Sequence, residues 1–181
     1  MSIATGGTQL RKVFEDDGIY WWNFHVDWAD PARTRLDGPF KIPVAPYHYL
    51  CDGQLTNCVP QPDSARRLDA QGDKLMNRVV YRRIGGVESI VANHSVATSA
   101  GGGGVRWYEF RLDRDRKPTL FQQGTFAPDA KYRWMGSIAM DKNGSIALGY
   151  SASGASLFPG IRYTGRLAGD ALGTMTQGDN I

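Results

Sequence analysis

Five side chains in this sequence are of the types used in hydrolytic chemistry. Arg78 and Arg82 carry fixed positive charge suited to a carboxylate. His94 carries an imidazole, a group that ordinarily titrates near neutral pH, and Glu109 and Asp141 are carboxyl groups that can act as acid or base. Each also has a simpler structural role. His94 sits in Asn93-His94-Ser95 on an expected strand, where an imidazole commonly serves as a hydrogen-bonded sheet residue. Arg106 and Arg162 lie at matching points of an internal repeat, which suits pairing with a turn aspartate. His25 and Asp27 alternate with Asn23 along an expected strand, either as a polar rim for a ligand or as a solvated face.

Five tryptophans, Trp21, Trp22, Trp28, Trp107 and Trp134, offer flat faces that stack on sugar rings when exposed and fill a core when buried. Trp107 is the candidate for ligand stacking. Asp113-Arg-Asp115 and Asp141-Lys-Asn143 are short oxygen clusters, but neither completes a calcium loop, which needs more ligands and a distal Glu. No cofactor or metal is expected, with calcium the one ion considered. Gly149-Tyr-Ser151-Ala-Ser153 departs from the nucleophile-elbow pattern at its last position. The Gly101–Gly104 run precedes Val-Arg-Trp rather than Lys-Ser/Thr, so it is no phosphate loop and reads as a flexible hairpin turn.

Cys51 and Cys58 stand close together in a polar, Pro-rich stretch. A disulfide is the favoured reading and two free thiols the alternative, and a disulfide places the chain in an oxidising compartment. The segment Met1–Gly7 has neither the basic region nor the apolar core of a secretory signal. A net charge of +3 is too small to imply nucleic acid, and no apolar run approaches the roughly 20 residues of a membrane-spanning helix.

The elements that must position these groups are strands. Of the 18 acids 15 are Asp, of the 21 bases 15 are Arg, and 22 glycines and 9 prolines punctuate 181 residues. Helix surfaces favour Glu and Lys, whereas Asp and Gly belong to turns. Strands are expected over 19–28, 35–44, 75–83, 89–96, 105–112, 119–126, 133–141, 145–153 and 161–167. Residues 47–73 read as a long loop region holding the cysteines, with Asp63 capping a short helix over 64–68. Segments 89–96 and 105–108 match 145–152 and 161–164 at one shared offset. One hairpin can be registered. A three-residue loop Lys142-Asn143-Gly144 pairs Met140 with Ile146, Ala139 with Ala147 and Ile138 with Leu148, placing bulky residues on one face and small ones on the other. A two-residue loop would mix them.

This pattern predicts an all-β fold: a partial β-propeller of four-stranded antiparallel blades. It divides into an irregular blade with the disulfide loop (19–74), a complete blade (75–126) and a complete or nearly complete blade (132–181). Too few blades are present to close a ring, so the chain is expected to be a fragment completed by the rest of a larger parent chain.

The segments Cys58-Val-Pro-Gln-Pro62, Asn93-His-Ser-Val96, Arg106-Trp-Tyr-Glu109, Gln122-Gln-Gly-Thr125, Arg133-Trp-Met-Gly-Ser-Ile-Ala-Met-Asp141, Leu148-Gly-Tyr-Ser151 and Ile161-Arg-Tyr-Thr-Gly-Arg166 resemble a family of large secreted bacterial proteins similar to sialidase-superfamily propellers. The resemblance covers roughly residues 19–181. It implies a secreted or cell-surface parent and says little about chemistry. The Asp-box pattern Ser-x-Asp-x-Gly-x-x-Trp is not met, since Asp141-Lys-Asn-Gly144 has different spacing and no following Trp. A sialidase also needs converging arginines and a Tyr activated by Glu. The residue types exist here, in Arg78, Arg82, Arg83, Tyr81, Tyr108, Tyr163 and Glu109, without a spacing that assembles them. The reading is a binding or scaffold module recognising glycan or protein surfaces. The alternatives are a sialidase-like glycoside hydrolase and a purely structural segment.

Overall fold

A computed structural model describes residues 2–5, 17–53, 57–76 and 78–181, with residues 2–5 described as backbone only. The fold is all-β and built from antiparallel sheets; strands make up 58% of it. Among the described residues only two short 3-10 turns, Pro31–Arg33 and Leu50–Gly53, are helical, and no helix is long and apolar enough to cross a membrane. The described sheets do not close into a barrel or ring.

The first sheet is β1 (Ser2–Thr5), β2 (Gly18–His25) and β3 (Arg35–Pro43) in that spatial order. A small hairpin follows, β4 (Asn57–Gln61) with β5 (Ser64–Asp69). Next come β6 (Val80–Ile84), β7 (Val87–Ala97), β8 (Gly103–Leu112) and β9 (Pro118–Phe126), each paired with the next as an antiparallel meander. A second meander, β10 (Tyr132–Met140), β11 (Ile146–Gly154) and β12 (Leu157–Arg166), joins the first through one parallel bridge, Tyr132 to Gly103.

The sequence repeat reaches down to individual strand pairs. Ile90 faces Phe110 across β7–β8, and their repeat counterparts, Ile146 and Arg166, face each other across β11–β12. Trp107 faces Gly124 in β8–β9, and an isolated bridge joins the counterparts Tyr163 and Asn180. The Asn180 and Tyr163 backbones exchange two hydrogen bonds of 2.9 Å, so an isolated bridge lies against β12 where β9 lies against β8.

Because side chains alternate along a strand, each sheet has two faces to cover. Ile90, Ala92, Val96, Tyr108 and Phe110 on one face of β7–β8 pack with Ile19, Trp21, Ile42, Val44, Tyr47 and Tyr49 from the first sheet and the segment after it. Val91, Val105 and Trp107 on the opposite face pack with Ile138, Met140, Ile146 and Leu148 of β10–β11. The first sheet, the β6–β9 meander and the β10–β12 meander therefore lie as three layers one upon another, the two meanders continuous through their single bridge as one seven-stranded sheet. Polar links cross the second interface, where the Met135 amide donates to Ser95 Oγ (3.2 Å) and Arg82 Nε donates to the Met140 carbonyl (2.8 Å).

The β10–β11 hairpin has the expected register, with Met140 opposite Ile146, Ala139 opposite Ala147 and Ile138 opposite Leu148. Gly144 ends its loop at φ +88°, in the left-handed region that glycine enters without a Cβ clash. Ile138, Met140, Ile146 and Leu148 are buried, whereas Ala139 and Ala147 are exposed.

Several expectations are corrected. Residues 64–68 are not helical: they form β5, paired to β4 with Gln61 opposite Ser64. Asp63 is a left-handed turn residue (φ +54°) after Pro62, not a helix cap. The stretch 47–73 is accordingly not one long loop. The Gly101–Gly104 run is only in part a hairpin turn: Gly101 is exposed in the β7–β8 turn at φ +86°, its amide donating to the Thr98 carbonyl (3.0 Å), but Gly103 and Gly104 are buried in β8, and a β-carbon on Gly102 would overlap the Ala130 carbonyl oxygen. Its glycines permit a close backbone approach. The strand expected from Leu75 begins at Val80, with Leu75 making only a bridge to His94. Residue 77 in that span, and residues 1, 6 and 7 of the N-terminal segment read for a signal, lie outside the described residues.

Candidate functional site

Glu109 lies on the face of β8 turned towards β10–β11, and it is nearly fully buried. Its Oε1 accepts from Ser89 Oγ (3.0 Å) and Arg111 Nε (3.1 Å), and its Oε2 accepts from Gln122 Nε2 (2.6 Å). The Arg111 guanidinium lies over the Phe121 ring, 3.2 Å from the centroid. Glu109, Arg111 and Gln122 line a cavity of about 210 Å³, bounded on its far side by Met140, Asn143 and Arg166. Arg82 reaches the Met140 carbonyl beside it, so the structure brings Arg82, Glu109 and the Asp141 turn to one region between the two meanders. Three donors already occupy the Glu109 oxygens, the arrangement of a carboxylate that fastens strands together.

Asp141 also has a local task. Its Oδ1 accepts the amides of Asn143 (2.8 Å) and Ser145 (2.9 Å). Asp113 does the same for Asp115 and Lys117, both at 2.9 Å. The two acidic clusters considered for calcium are thus turn-forming carboxylates. Among the described residues no group of three or more His, Cys, Asp or Glu side chains is placed to hold a metal ion.

His94 is on the other face of β7 from Glu109, inside the core against the first sheet. It is fully buried, its Nε2 lies 2.8 Å from Tyr108 Oη, and its ring stacks on Tyr108 at 5.6 Å and meets Tyr47 edge-on at 4.6 Å. Burial, reinforced by the charge of Arg106, pulls its pKa down to about 3, so the ring is neutral at ordinary pH. Burial likewise pushes the Tyr108 hydroxyl up. A neutral imidazole closed off from solvent, with a sheet between it and Glu109, has no route to a shared substrate.

The remaining candidates scatter. Arg78 is exposed just before β6. His25 ends β2, but Asp27 lies beyond the strand in the following loop, so the two do not share a strand face as expected. Asp27 Oδ1 accepts the Asp30 and Ala29 amides (2.9 and 3.0 Å) and its Oδ2 meets Arg33 Nε (2.9 Å); those backbone bonds, with the arginine, hold its carboxyl below the usual range. Trp107, Trp21 and Trp134 are core residues, whereas Trp28 is 90% exposed. Arg106 donates to Thr125 Oγ1 (2.5 Å) and the Ala45 carbonyl (3.2 Å) rather than to a turn aspartate, while Arg162 lies 3.6 Å from Asp179. Cys51 and Cys58 form a disulfide with Cα atoms 5.9 Å apart.

Two features were missed in the sequence. Fully buried Arg133 binds Asp129 (2.7 Å) and Asp179 (2.5 Å), and Tyr150 Oη donates to Asp179 (2.5 Å). The Arg133 guanidinium holds the Asp129 carboxyl well below its usual range. The second is a groove of about 510 Å³ between the first sheet and the β6–β9 meander, lined by Asn23, Phe24, Tyr81, Asp115 and Arg116. Phe24 and Tyr81 are about half exposed there. The signal for the groove was two aromatics at strand positions with polar neighbours; the partner strands come from distant parts of the chain.

No family model matches the chain, and neither does any curated protein or solved structure.

Proposed function

We propose that this chain is a section of a secreted β-propeller, of the sialidase-like type its sequence resembles, and that it acts as a binding and scaffold module. The three packed layers, with strand pairings that recur at the repeat offset, support the propeller reading. The disulfide fits an oxidising compartment. The binding reading rests on one observation above all: the groove in which Phe24 and Tyr81 present exposed rings beside Asn23, Asp115 and Arg116. Aromatic faces flanked by planar hydrogen-bonding groups suit a sugar ring, which is apolar on its faces and polar at its rim. Hydrolysis draws less support, because His94 and Glu109 lie on opposite sides of one sheet and Asp141 is engaged in its own turn.

The test is binding to a panel of immobilised glycans, repeated with Tyr81→Ala and Phe24→Ala. Both side chains are half exposed, so the variants should fold. Saturable binding weakened tenfold or more by either substitution is expected, since losing one aromatic stacking contact costs on the order of 1 kcal/mol or more. Binding that ignores both substitutions, or none to any glycan, overturns the assignment of the groove.

A further inference from the structure

The repeat gives every position in the covered interface a counterpart. The face of β7–β8 that lies beneath β10–β11 carries Val91, Asn93, Ser95, Val105 and Trp107. All five are buried. Their repeat counterparts are Ala147, Gly149, Ser151, Ile161 and Tyr163 on β11–β12, where the same pairings recur: Asn93 opposite Trp107, and Gly149 opposite Tyr163. This second face is open around Ala147, Ile161 and Tyr163, and is bounded past Ser151 by the β4–β5 hairpin, where Trp134 packs on Val59 and Ser153 Oγ donates to the Pro60 carbonyl (2.7 Å). Ile161 is 80% exposed and Tyr163 54%, and Met135 and Ala139 extend the apolar surface onto β10. Large apolar side chains on an open, flat sheet mark a contact surface.

The covered interface also shows what covers it. Ile138, Met140, Ile146 and Leu148 lay a bulky aliphatic face over Val91, Val105 and Trp107. The strand that approaches most closely does so at Gly136, where a β-carbon would overlap Asn93 Oδ1, and its Met135 amide binds Ser95 Oγ. On the open face, Ala147 and Gly149 stand where Val91 and Asn93 stand, leaving more room, and the Ser151 hydroxyl stands where Ser95 accepts its inter-sheet bond.

We propose that the Ala147–Ile161–Tyr163 face docks one further antiparallel sheet of the same repeat, whose first two strands present large aliphatic side chains in the positions of Ile138, Met140, Ile146 and Leu148. The occupant follows by continuity with the interface already formed one repeat earlier. This inference rests on the stacking of repeats that underlies the propeller reading and is independent of the glycan groove.

The experiment appends a second copy of residues 127–181 to the full chain and measures the rate of thiol labelling at Ala147→Cys. Labelling should be fast in the original chain and at least tenfold slower in the extended one. It should return to the fast rate when the appended copy carries a glutamate in place of the residue corresponding to Leu148. Labelling at Ala147→Cys that is equally fast in both chains overturns the proposal, whether the appended unit lies elsewhere or does not order on this face. Val91→Cys in the original chain separates this failure from failure of the stacking itself: it should be protected, and rapid labelling there would show that the existing interface is not closed.

Discussion

His94 makes acid stability a test of the core. In the unfolded chain its imidazole titrates at about 6.5, and in the fold burial lowers this to about 3. Above the unfolded value both states are neutral at this position and the shift has no effect. As pH falls through 6.5, only the unfolded chain takes up the proton, so the native state loses stability until the folded value is reached. Each pH unit in that window is worth about 1.4 kcal/mol, so moving from about pH 7.5 to about pH 5 should remove roughly 2 kcal/mol through this residue. The groups around it are Tyr47, Tyr49, Tyr108 and the charge of Arg106, so among the described residues no acid compensates the incoming proton. The aspartates with depressed values, such as Asp129, exact their penalty only at lower pH, because their unfolded values lie near 3.8. Urea unfolding of the native protein and of His94→Gln at both pH values isolates the effect. The variant sacrifices ring packing at either pH, but its loss between the two should be smaller by about 2 kcal/mol, the full linkage contribution of the imidazole. Parallel losses in the two proteins would refute a buried, neutral His94.

Two further outcomes follow from packing. Gly102→Ala sets a β-carbon against the Ala130 carbonyl oxygen, and the backbone must shift to admit it. A loss of about 1–3 kcal/mol in denaturant unfolding is expected, against almost none for an alanine at exposed Gly169, which meets nothing nearby. Asp179→Asn removes one of the two carboxylates on Arg133 and weakens the hold on Tyr150; with Asp179 partly solvated, a loss of about 1–3 kcal/mol and faster proteolysis beyond Arg166 are expected.

What was legible in the sequence is what alternation encodes. The β10–β11 register followed from bulky and small residues occupying opposite faces, since a slip by one would have buried alanines and exposed Ile138, Met140 and Leu148. The repeat offset followed from matched strand sequences and survives in the pairings. Illegible were features set by residues far apart in the chain. Arg133 and Asp179 are 46 positions apart, and nothing local marks the arginine as buried. Ser64–Asp69 has no strand pattern of its own and is extended because β4 supplies its hydrogen-bond partners. Gly102 and Gly103 looked like slack because a glycine's role in admitting neighbouring backbone is written in that neighbour. The roles of His94 and Glu109 turned on which side of β7–β8 each faces and what lies there: strand parity separated them, and only the packing of the neighbouring sheets showed His94 sealed off and Glu109 beside a cavity.

The turns at Asp113–Lys117 and Asp141–Ser145 share one construction: a carboxylate gathers two amides, and the fourth position, Arg116 or Gly144, takes a left-handed backbone. Everything that shapes such a tip sits at its first and fourth residues. Arg114 and Lys142 point into water and are free to vary, whereas Asp115 and Asn143 face the groove and the cavity beside their turns. Each tip is therefore a small display platform, on which new side chains can be tried against new surfaces while the framework beneath keeps its form.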